Sequence, residues 1–326
     1  MNAAATVDPL LHHGGRISVA AARYPMAPQP WLDLSTGISP WAYPVGDINY
    51  EAWQRLPSDE DLAELEAAAA SAFGGVNPDQ IVAVPGTDLA IRLLAQLLPA
   101  QRVGIVGPTY GGYQSAWPDA KTVSFAKARG AELLVCANPN NPDGAVIEKT
   151  QLQRLRALRI VDEAFADALP EHSLLPHRNG AIVLRSFGKF FGLAGVRLGF
   201  VIADRPLAKQ LRTLLGDWPI SGPAIAIGTK AYRDNAWQES QRSRLIAATA
   251  ELIALLTGHG LAIIGGTPLF QLASHPAAPS LFNHLAKAGI LLRPFADRPD
   301  WLRIGMLGTD ADFIRLAAAL KNWKPV

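Results

Sequence analysis

The stretch from Arg185 to Phe200 constrains this chain more than any other. It reads Arg-Ser-Phe-Gly-Lys-Phe-Phe-Gly-Leu-Ala-Gly-Val-Arg-Leu-Gly-Phe. Lys189 stands there among small, apolar and aromatic residues, with Ser186 three positions before it and Arg197 eight after. An amine among apolar neighbours is desolvated, which disfavours its charged form. A neutral amine attacks an aldehyde and holds it as a Schiff base. A serine hydroxyl and a planar guanidinium fork suit a phosphate. The stretch therefore asks for a ligand that carries both an aldehyde and a phosphate. Apolar runs flank it, Ile182-Val-Leu184 before and Leu198-Gly-Phe-Val-Ile202 after. Both read as strands.

Composition narrows the setting. At 326 residues, the chain is long enough for one large domain and a smaller one. It is 49% hydrophobic and 18% charged, which argues for a folded core rather than disorder. A formal charge of +2 without any Lys/Arg block argues against a nucleic-acid surface. The single cysteine, Cys136, leaves no internal disulfide and no cysteine metal cluster. No His-Glu-x-x-His spacing occurs, so no metal site is expected. The N-terminus lacks a basic region followed by an apolar core, and no apolar run reaches membrane-spanning length. The expectation is a cytoplasmic protein without a membrane partner.

Along the chain, residues 1–30 read as an irregular arm containing His12-His-Gly-Gly-Arg16. Trp31 to Pro40 is a short strand ending in a Ser-Thr-Gly turn, where Gly37 allows close backbone approach. Ile81-Val-Ala-Val84 is a strand, followed by Pro85-Gly-Thr-Asp88 and a helix. That order aims free backbone N–H groups at an anion. Arg102 to Val106 is the next strand, and it leads to Gly-Pro-Thr-Tyr110. Leu133 to Cys136 is another, running into Ala-Asn-Pro-Asn-Asn-Pro-Asp-Gly144, a rigid polar turn. Arg159-Ile-Val-Asp-Glu-Ala-Phe165 is a strand with Asp162 and Glu163 at its C-terminal end, where open α/β sheets bind ligands. Asp217 to Pro223 breaks the pattern as a domain crossing, and one long helix is expected from about 224 to 256. The remainder alternates short strands with two helices as an α+β lobe, with Arg303 on a late strand.

Pyridoxal phosphate carries both an aldehyde and a phosphate. The spacing Ser186-x-x-Lys189-x7-Arg197 resembles the lysine motif of the fold-type I pyridoxal phosphate enzymes, the aspartate aminotransferase superfamily. The resemblance implies an α/β fold: a large three-layer domain with a mostly parallel sheet, plus a small α+β domain. It implies that Lys189 carries the cofactor covalently and that Ser186 and Arg197 bind its phosphate. Gly86, Thr87 and Asp88 would form the second half of the phosphate cup. Tyr110, by residue type a packing aromatic, would lie on the pyridine ring. Asn141 would bond the phenolic oxygen, Asp162 the ring nitrogen, and Arg303 the substrate carboxylate. Phe165 departs from the tyrosine that many members carry there, so Asn141 becomes that oxygen's main polar partner. The motifs occur in family order along roughly residues 80–305.

Within the superfamily the chain is most similar to the histidinol-phosphate aminotransferase branch. More narrowly it resembles the threonine-phosphate decarboxylases of cobalamin synthesis. His13-Gly-Gly15, Leu32-Asp-Leu-Ser-Thr-Gly-Ile38 and Val161-Asp-Glu-Ala-Phe-Ala-Asp167 carry that similarity. Leu56 replaces a tyrosine of the histidinol-phosphate branch. The implied reaction is loss of CO2 from O-phospho-L-threonine, with Lys189 and Asp162 catalytic. The alternative is an aminotransferase acting on a phosphorylated substrate such as histidinol phosphate. His13, Gly37 and Arg303 are the expected substrate-binding residues. The implied assembly is a homodimer. The implied division is an arm over 1–36 that packs with the small domain, a large cofactor domain over 37–220 and a small domain over 221–326.

Overall fold

Short apolar runs set the central strands of this chain. The computed structural model describes residues 8–324, the side chains of His12 and Arg129 excepted. In chain order the strands are β1 (Leu32–Asp33), β2 (Ile81–Val84), β3 (Val103–Val106), β4 (Lys121–Val123), β5 (Leu133–Ala137), β6 (Leu158–Asp162) and β7 (Ile182–Ser186), then β8 (Gly199–Ile202), β9 (Ala262–Thr267), β10 (Phe270–Ser274), β11 (Ile290–Leu291), β12 (Arg293–Pro294) and β13 (Trp301–Gly305). Two units emerge: Trp41–Arg242, and the N-terminal residues up to Pro40 joined to Ser243 onward.

The unit Trp41–Arg242 is built on a seven-stranded sheet in the order β2-β8-β7-β6-β5-β3-β4. Strands β3 to β7 run parallel. Only β8 is reversed, antiparallel to both β2 and β7. All five residues of β5 are buried. Both faces of such a strand are covered, so it reads as a continuous apolar run rather than an alternation. On one face Val82, Val84, Val135, Ile160, Leu184 and Val201 pack with Ala90, Ile91 and Leu94 of the helix Thr87–Leu97. Ala208 and Leu211 of the helix Arg205–Leu215 join the same core. On the other face the helix Asp59–Ala72 reaches β2, where Glu66 Oε1 accepts the Ala83 N–H at 2.9 Å. Ser58 starts that helix with a capping box closed by Asp61, a motif that satisfies two orphan backbone donors. Truncating a core aromatic such as Phe200, which is fully buried, would cost roughly 3–5 kcal/mol.

The division differs from the sequence expectation at both boundaries. The first falls after Pro40 rather than residue 36. The second is expected after residue 220, whereas the contacts place it after Arg242. The reason lies in the helix Gly222–Arg233. Ser221 caps it, its hydroxyl accepting the Ala224 N–H at 3.4 Å. The helix packs on Asp59–Ala72, and Gly228 makes the approach possible. A Cβ there would lie 2.5 Å from Leu198 Cδ2 and 2.8 Å from Leu65 Cδ1. The single helix expected from 224 to 256 is also two helices, Gly222–Arg233 and Asn235–Gly258. Asp234 separates them, its carboxylate accepting the Trp237 N–H at 3.0 Å. A short acceptor in that position ends one helix and caps the next.

In the other unit β12, β13, β10 and β9 form an antiparallel sheet in that order. Strand β1 pairs parallel with β11. The N-terminal segment packs within this unit: Arg293 Nη1 donates to Leu10 O at 3.1 Å, and Arg23 pairs with Asp8 at 2.7 Å. No helix of the described residues is long and apolar enough to cross a membrane.

Candidate active site

The site is assembled at one end of the seven-stranded sheet. After Val84 the chain turns through Pro85 and Gly86 into the helix Thr87–Leu97. Gly86 has φ 86° and ψ 151°, a conformation that side chains with a Cβ avoid. A Cβ there would also lie 2.6 Å from Nη2 of Arg197. Arg197 itself is left-handed at φ 57° and ψ 49°, which costs about 1–2 kcal/mol for an L-residue. Its Nη1 donates to Ala194 O at 3.2 Å. Strand register completes the cluster, since Gly199 of β8 pairs with Val84 on one side and Ser186 on the other. A Cβ on Gly199 would lie 3.1 Å from the Thr87 nitrogen. Gly86, Thr87, Ser186 and Arg197 thus meet, with the unsatisfied N–H groups of a helix start among them. Asp88 is engaged differently. Its carboxylate accepts from Arg92 Nε at 3.2 Å and from the Tyr110 hydroxyl at 3.1 Å.

Lys189 lies on the short helix Phe187–Phe190 directly after β7. It is half-buried, while Phe187 and Phe190 around it are fully buried. Gly188 permits the tight return of the chain, because a Cβ there would meet Ala194 Cα at 2.7 Å.

Asp162 ends β6 and is buried. Its Oδ2 accepts from the Tyr113 hydroxyl at 2.8 Å and its Oδ1 from the Ala164 N–H at 3.0 Å. Burial pushes its pKa up, while the two hydrogen bonds and the charge of Lys189 pull it back. The neighbouring acid, Glu163, is committed elsewhere. It accepts from Arg185 Nη1 at 3.3 Å, from the Leu174 N–H at 2.6 Å and from the Ser173 hydroxyl. Arg185 also pairs with Asp167. That buried network explains the second acid and the arginine that opens the lysine stretch.

Tyr110 stands edge-on to Tyr113, with ring centroids 5.5 Å apart. Gly112 leaves room for its ring, since a Cβ there would lie 2.2 Å from Cε1. Burial and the charge of Asp88 push the Tyr110 hydroxyl up to about 12. In the polar turn, Asn138 is fully buried and accepts the Ile147 N–H at 2.8 Å. Asn140 accepts from Thr109 Oγ1 at 2.8 Å and donates to Asp143 at 2.7 Å. Two of the three asparagines hold the turn together, and Asn141, half-buried, follows them. Phe165 is buried just beyond Asp162.

The three expected substrate residues lie in the other unit, grouped around Ser35. Arg303 of β13 donates through Nη2 to Ser35 O at 2.9 Å. Gly14, next to His13, abuts the same carbonyl, and the Gly15 N–H donates to Ser35 Oγ at 2.7 Å. Gly37 is buried two residues further on. Arg303 stands in register with Arg293 of β12. Burial pushes both guanidinium groups down to about 10, and the charge of Arg293 adds to the effect on Arg303. Sequence reasoning missed Arg293 and Tyr113. The repeat Tyr110-Gly-Gly-Tyr113 at a helix start was the available signal for Tyr113. Nothing local marks Arg293, because its partner is ten positions away across a strand pair.

Comparison with known proteins identifies the family. Residues 52–320 match the family Aminotransferase class I and II. Threonine-phosphate decarboxylase of Pseudomonas aeruginosa is 41% identical, over 97% of this chain and 98% of that protein. Threonine-phosphate decarboxylase of a Sinorhizobium species is 42% identical, over 94% of this chain and 97% of that one. Among solved structures, histidinol-phosphate aminotransferase from Sinorhizobium meliloti in complex with pyridoxal-5'-phosphate superposes with a TM-score of 0.82. It covers 98% of both chains at 20% identity, a likeness of fold alone. On the family match and the full-length relatives together, this chain belongs to the aminotransferase class I and II family.

Proposed function

We propose that this chain is a pyridoxal-phosphate-dependent lyase that decarboxylates O-phospho-L-threonine to (R)-1-amino-2-propanol O-phosphate, a step of cobalamin synthesis. The register at Gly199 carries the cofactor part of the reading, since it gathers the Gly86–Thr87 turn, Ser186 and Arg197 at one sheet end; the lyase part draws on the two threonine-phosphate decarboxylases, 41% and 42% identical over nearly the whole chain. The residues fit the cofactor. A helix start, a hydroxyl and a guanidinium suit a phosphate. The glycine at position 86 leaves open the space that a Cβ would take from Arg197. The buried carboxylate of Asp162 suits a protonated ring nitrogen. In this reading Gly86, Thr87, Ser186 and Arg197, with the backbone N–H of Asp88 in the first turn of the helix, would hold the phosphate end, Tyr110 and Asn141 the ring, and Lys189 the covalent attachment. Bound there, pyridoxal phosphate supplies an electron sink for the bond broken at the substrate α-carbon.

The chain's own residues do the rest. Burial disfavours the ionised form of Asp162, while the hydrogen bonds from Tyr113 and Ala164 and the charge of Lys189 favour it, and as the ion it would hold a ring nitrogen protonated. Lys189 Nζ, half-buried beside the end of β7, would be the group placed to deliver the proton that replaces the departed carboxylate. Arg303, with Arg293 in register beside it, takes one anionic end of the substrate. The arm with His13 and Gly37 takes the other. Arg303, buried and in register with Arg293, favours an anionic ligand over a neutral one. The protein works in the cytoplasm as a homodimer. Tyr50, Trp53 and Leu56 are 71%, 63% and 67% exposed on one short segment, an apolar surface suited to a second copy.

A second reading, transamination of a phosphorylated amine such as histidinol phosphate, draws on the sequence resemblance to the histidinol-phosphate aminotransferase branch. One assay separates them. The reconstituted protein is given O-phospho-L-threonine without 2-oxoglutarate. Release of CO2 matched by aminopropanol phosphate supports the lyase. Turnover of histidinol phosphate that depends on 2-oxoglutarate, without gas, sinks it. Deleting residues 1–16 tests the arm: KM for the phosphorylated substrate should rise strongly with the cofactor spectrum unchanged, and unaltered kinetics remove the arm from the site. A fully active monomer at micromolar concentration contradicts the assembly.

A further inference from the structure

Tyr113 is 1% exposed on the short helix Gly111–Ala116. Its hydroxyl donates to Asp162 Oδ2 at 2.8 Å, and the Ala164 N–H donates to Oδ1 at 3.0 Å. Each carboxylate oxygen therefore has one fixed donor, one from a side chain and one from the backbone. The ring of Tyr113 meets Tyr110 edge-on at 5.5 Å, and the Tyr110 hydroxyl donates to Asp88 Oδ1 at 3.1 Å. Contacts thus run from the first turn after Gly86 to the end of β6.

We propose that Tyr113 is a positioning residue for Asp162, fixing its carboxylate in one orientation and keeping it ionised for the nitrogen of the cofactor ring. The inference rests on the reading that this chain binds pyridoxal phosphate, and it deepens that reading. The physical argument is a competition. Burial of Asp162 favours the neutral acid, and donors to the carboxylate favour the ion. The titratable groups that act on Asp162 or are acted on by it are Tyr113, Tyr110, Cys136 and Lys189. The Cys136 thiol is pushed up to about 12 and the Tyr110 hydroxyl likewise, so neither carries charge at neutral pH. The Tyr113 hydroxyl is pushed well above 10 by burial and by Asp162, so it stays a donor. Removing it leaves a buried oxygen without its side-chain donor, and the acid then holds its proton to higher pH. A neutral acid cannot hold a ring nitrogen protonated.

The test uses holoenzyme and four proteins: the natural chain, Tyr113→Phe, Asp162→Asn and the double variant. Cofactor affinity is read by absorbance titration as a function of pH. Binding weakens on the acid side as Asp162 takes up its proton. A hydrogen bond to a charged group is worth enough to shift that acid limb upward by about one to two pH units in Tyr113→Phe. Loss of the same bond should raise the cofactor Kd at a pH inside the shifted limb by about ten- to a hundredfold. In the Asp162→Asn background Tyr113→Phe should change Kd by less than about threefold, because the charge it serves is gone. An unshifted acid limb, or an equal loss in both backgrounds, overturns the proposal and leaves Tyr113 as packing. Should Tyr113→Phe fail to fold, 3-fluorotyrosine at position 113 keeps the shape and donates more strongly, so the limb should move downward; a stationary limb overturns the proposal as well. Failure of the underlying reading looks different: the natural chain then binds no pyridoxal phosphate.

Discussion

Gly86→Ala imposes two separate penalties, and the structure supplies a control for one of them. At φ 86° and ψ 151° the backbone of Gly86 occupies a region that alanine enters at a cost of about 1–3 kcal/mol. The added Cβ would also stand 2.6 Å from Arg197 Nη2. The guanidinium must move, and Arg197 is held by its left-handed backbone and by the bond from Nη1 to Ala194 O at 3.2 Å. A displaced fork loses its charge-assisted bond to phosphate, roughly 1.5–3 kcal/mol, or about ten- to a hundredfold in cofactor affinity. Gly75 provides the comparison. Its φ is 85° and a Cβ there would meet nothing within 4 Å. Gly75→Ala should therefore lower stability by a similar order, about 1–2 kcal/mol, and leave the cofactor alone. Denaturant unfolding of the apoproteins reads the first effect, and titration of pyridoxal phosphate absorbance reads the second. The reasoning fails if both variants weaken cofactor binding equally. It fails too if Gly86→Ala binds as tightly as the natural chain, because Arg197 is then not the phosphate ligand.

Lys189→Ala should abolish the yellow holoenzyme, and borohydride reduction of the natural chain should label Lys189; a label on Lys127 or Lys230 removes the central assignment. Asp162→Asn should bind cofactor, though less tightly, and lose most turnover, since an amide cannot keep the ring nitrogen protonated; near-normal kcat contradicts the role given to Asp162. Cys136 yields a pH prediction. Burial raises its thiol from 9.0 to about 12, so the folded state holds the proton more tightly. That contribution to stability is complete below pH 9 and is lost as pH rises toward 12. Cys136→Ala should flatten the alkaline limb of the apoprotein's unfolding free energy by one proton, roughly 1.4 kcal/mol per pH unit. Denaturant titrations at several pH values above 9 check it, and parallel curves for the two proteins would disprove it.

The strands buried on both faces were legible because coverage on two sides leaves an unbroken apolar run, as in β2 and β5. β4 was not legible, since Lys121 and Thr122 are exposed and nothing apolar marks them. The break at Asp234 escaped for a related reason: charged residues continue the polar side of a helix as readily as they cap one. At the site, residues proposed to touch the cofactor directly follow from motif order, so Ser186, Lys189, Arg197 and Asp162 stood out. Residues that act through another residue did not. Tyr113 reads as core until its hydroxyl is seen on Asp162, and Arg293 becomes visible only through its pairing with Arg303. Glu163 shows the converse, an acid in a catalytic position that serves Arg185.

The reversed strand β8 has a consequence for how the protein is made. The Gly86 turn and the lysine stretch lie about a hundred residues apart in the chain, and β8 alone is bonded to both β2 and β7. A nascent chain that has not yet released residues 199–202 from the ribosome lacks the strand that joins β2 to the rest of the sheet. Before that point the two halves of the anion cradle have nothing to align them. A phosphate that needs both halves of the cradle would be captured only after this late strand has been inserted.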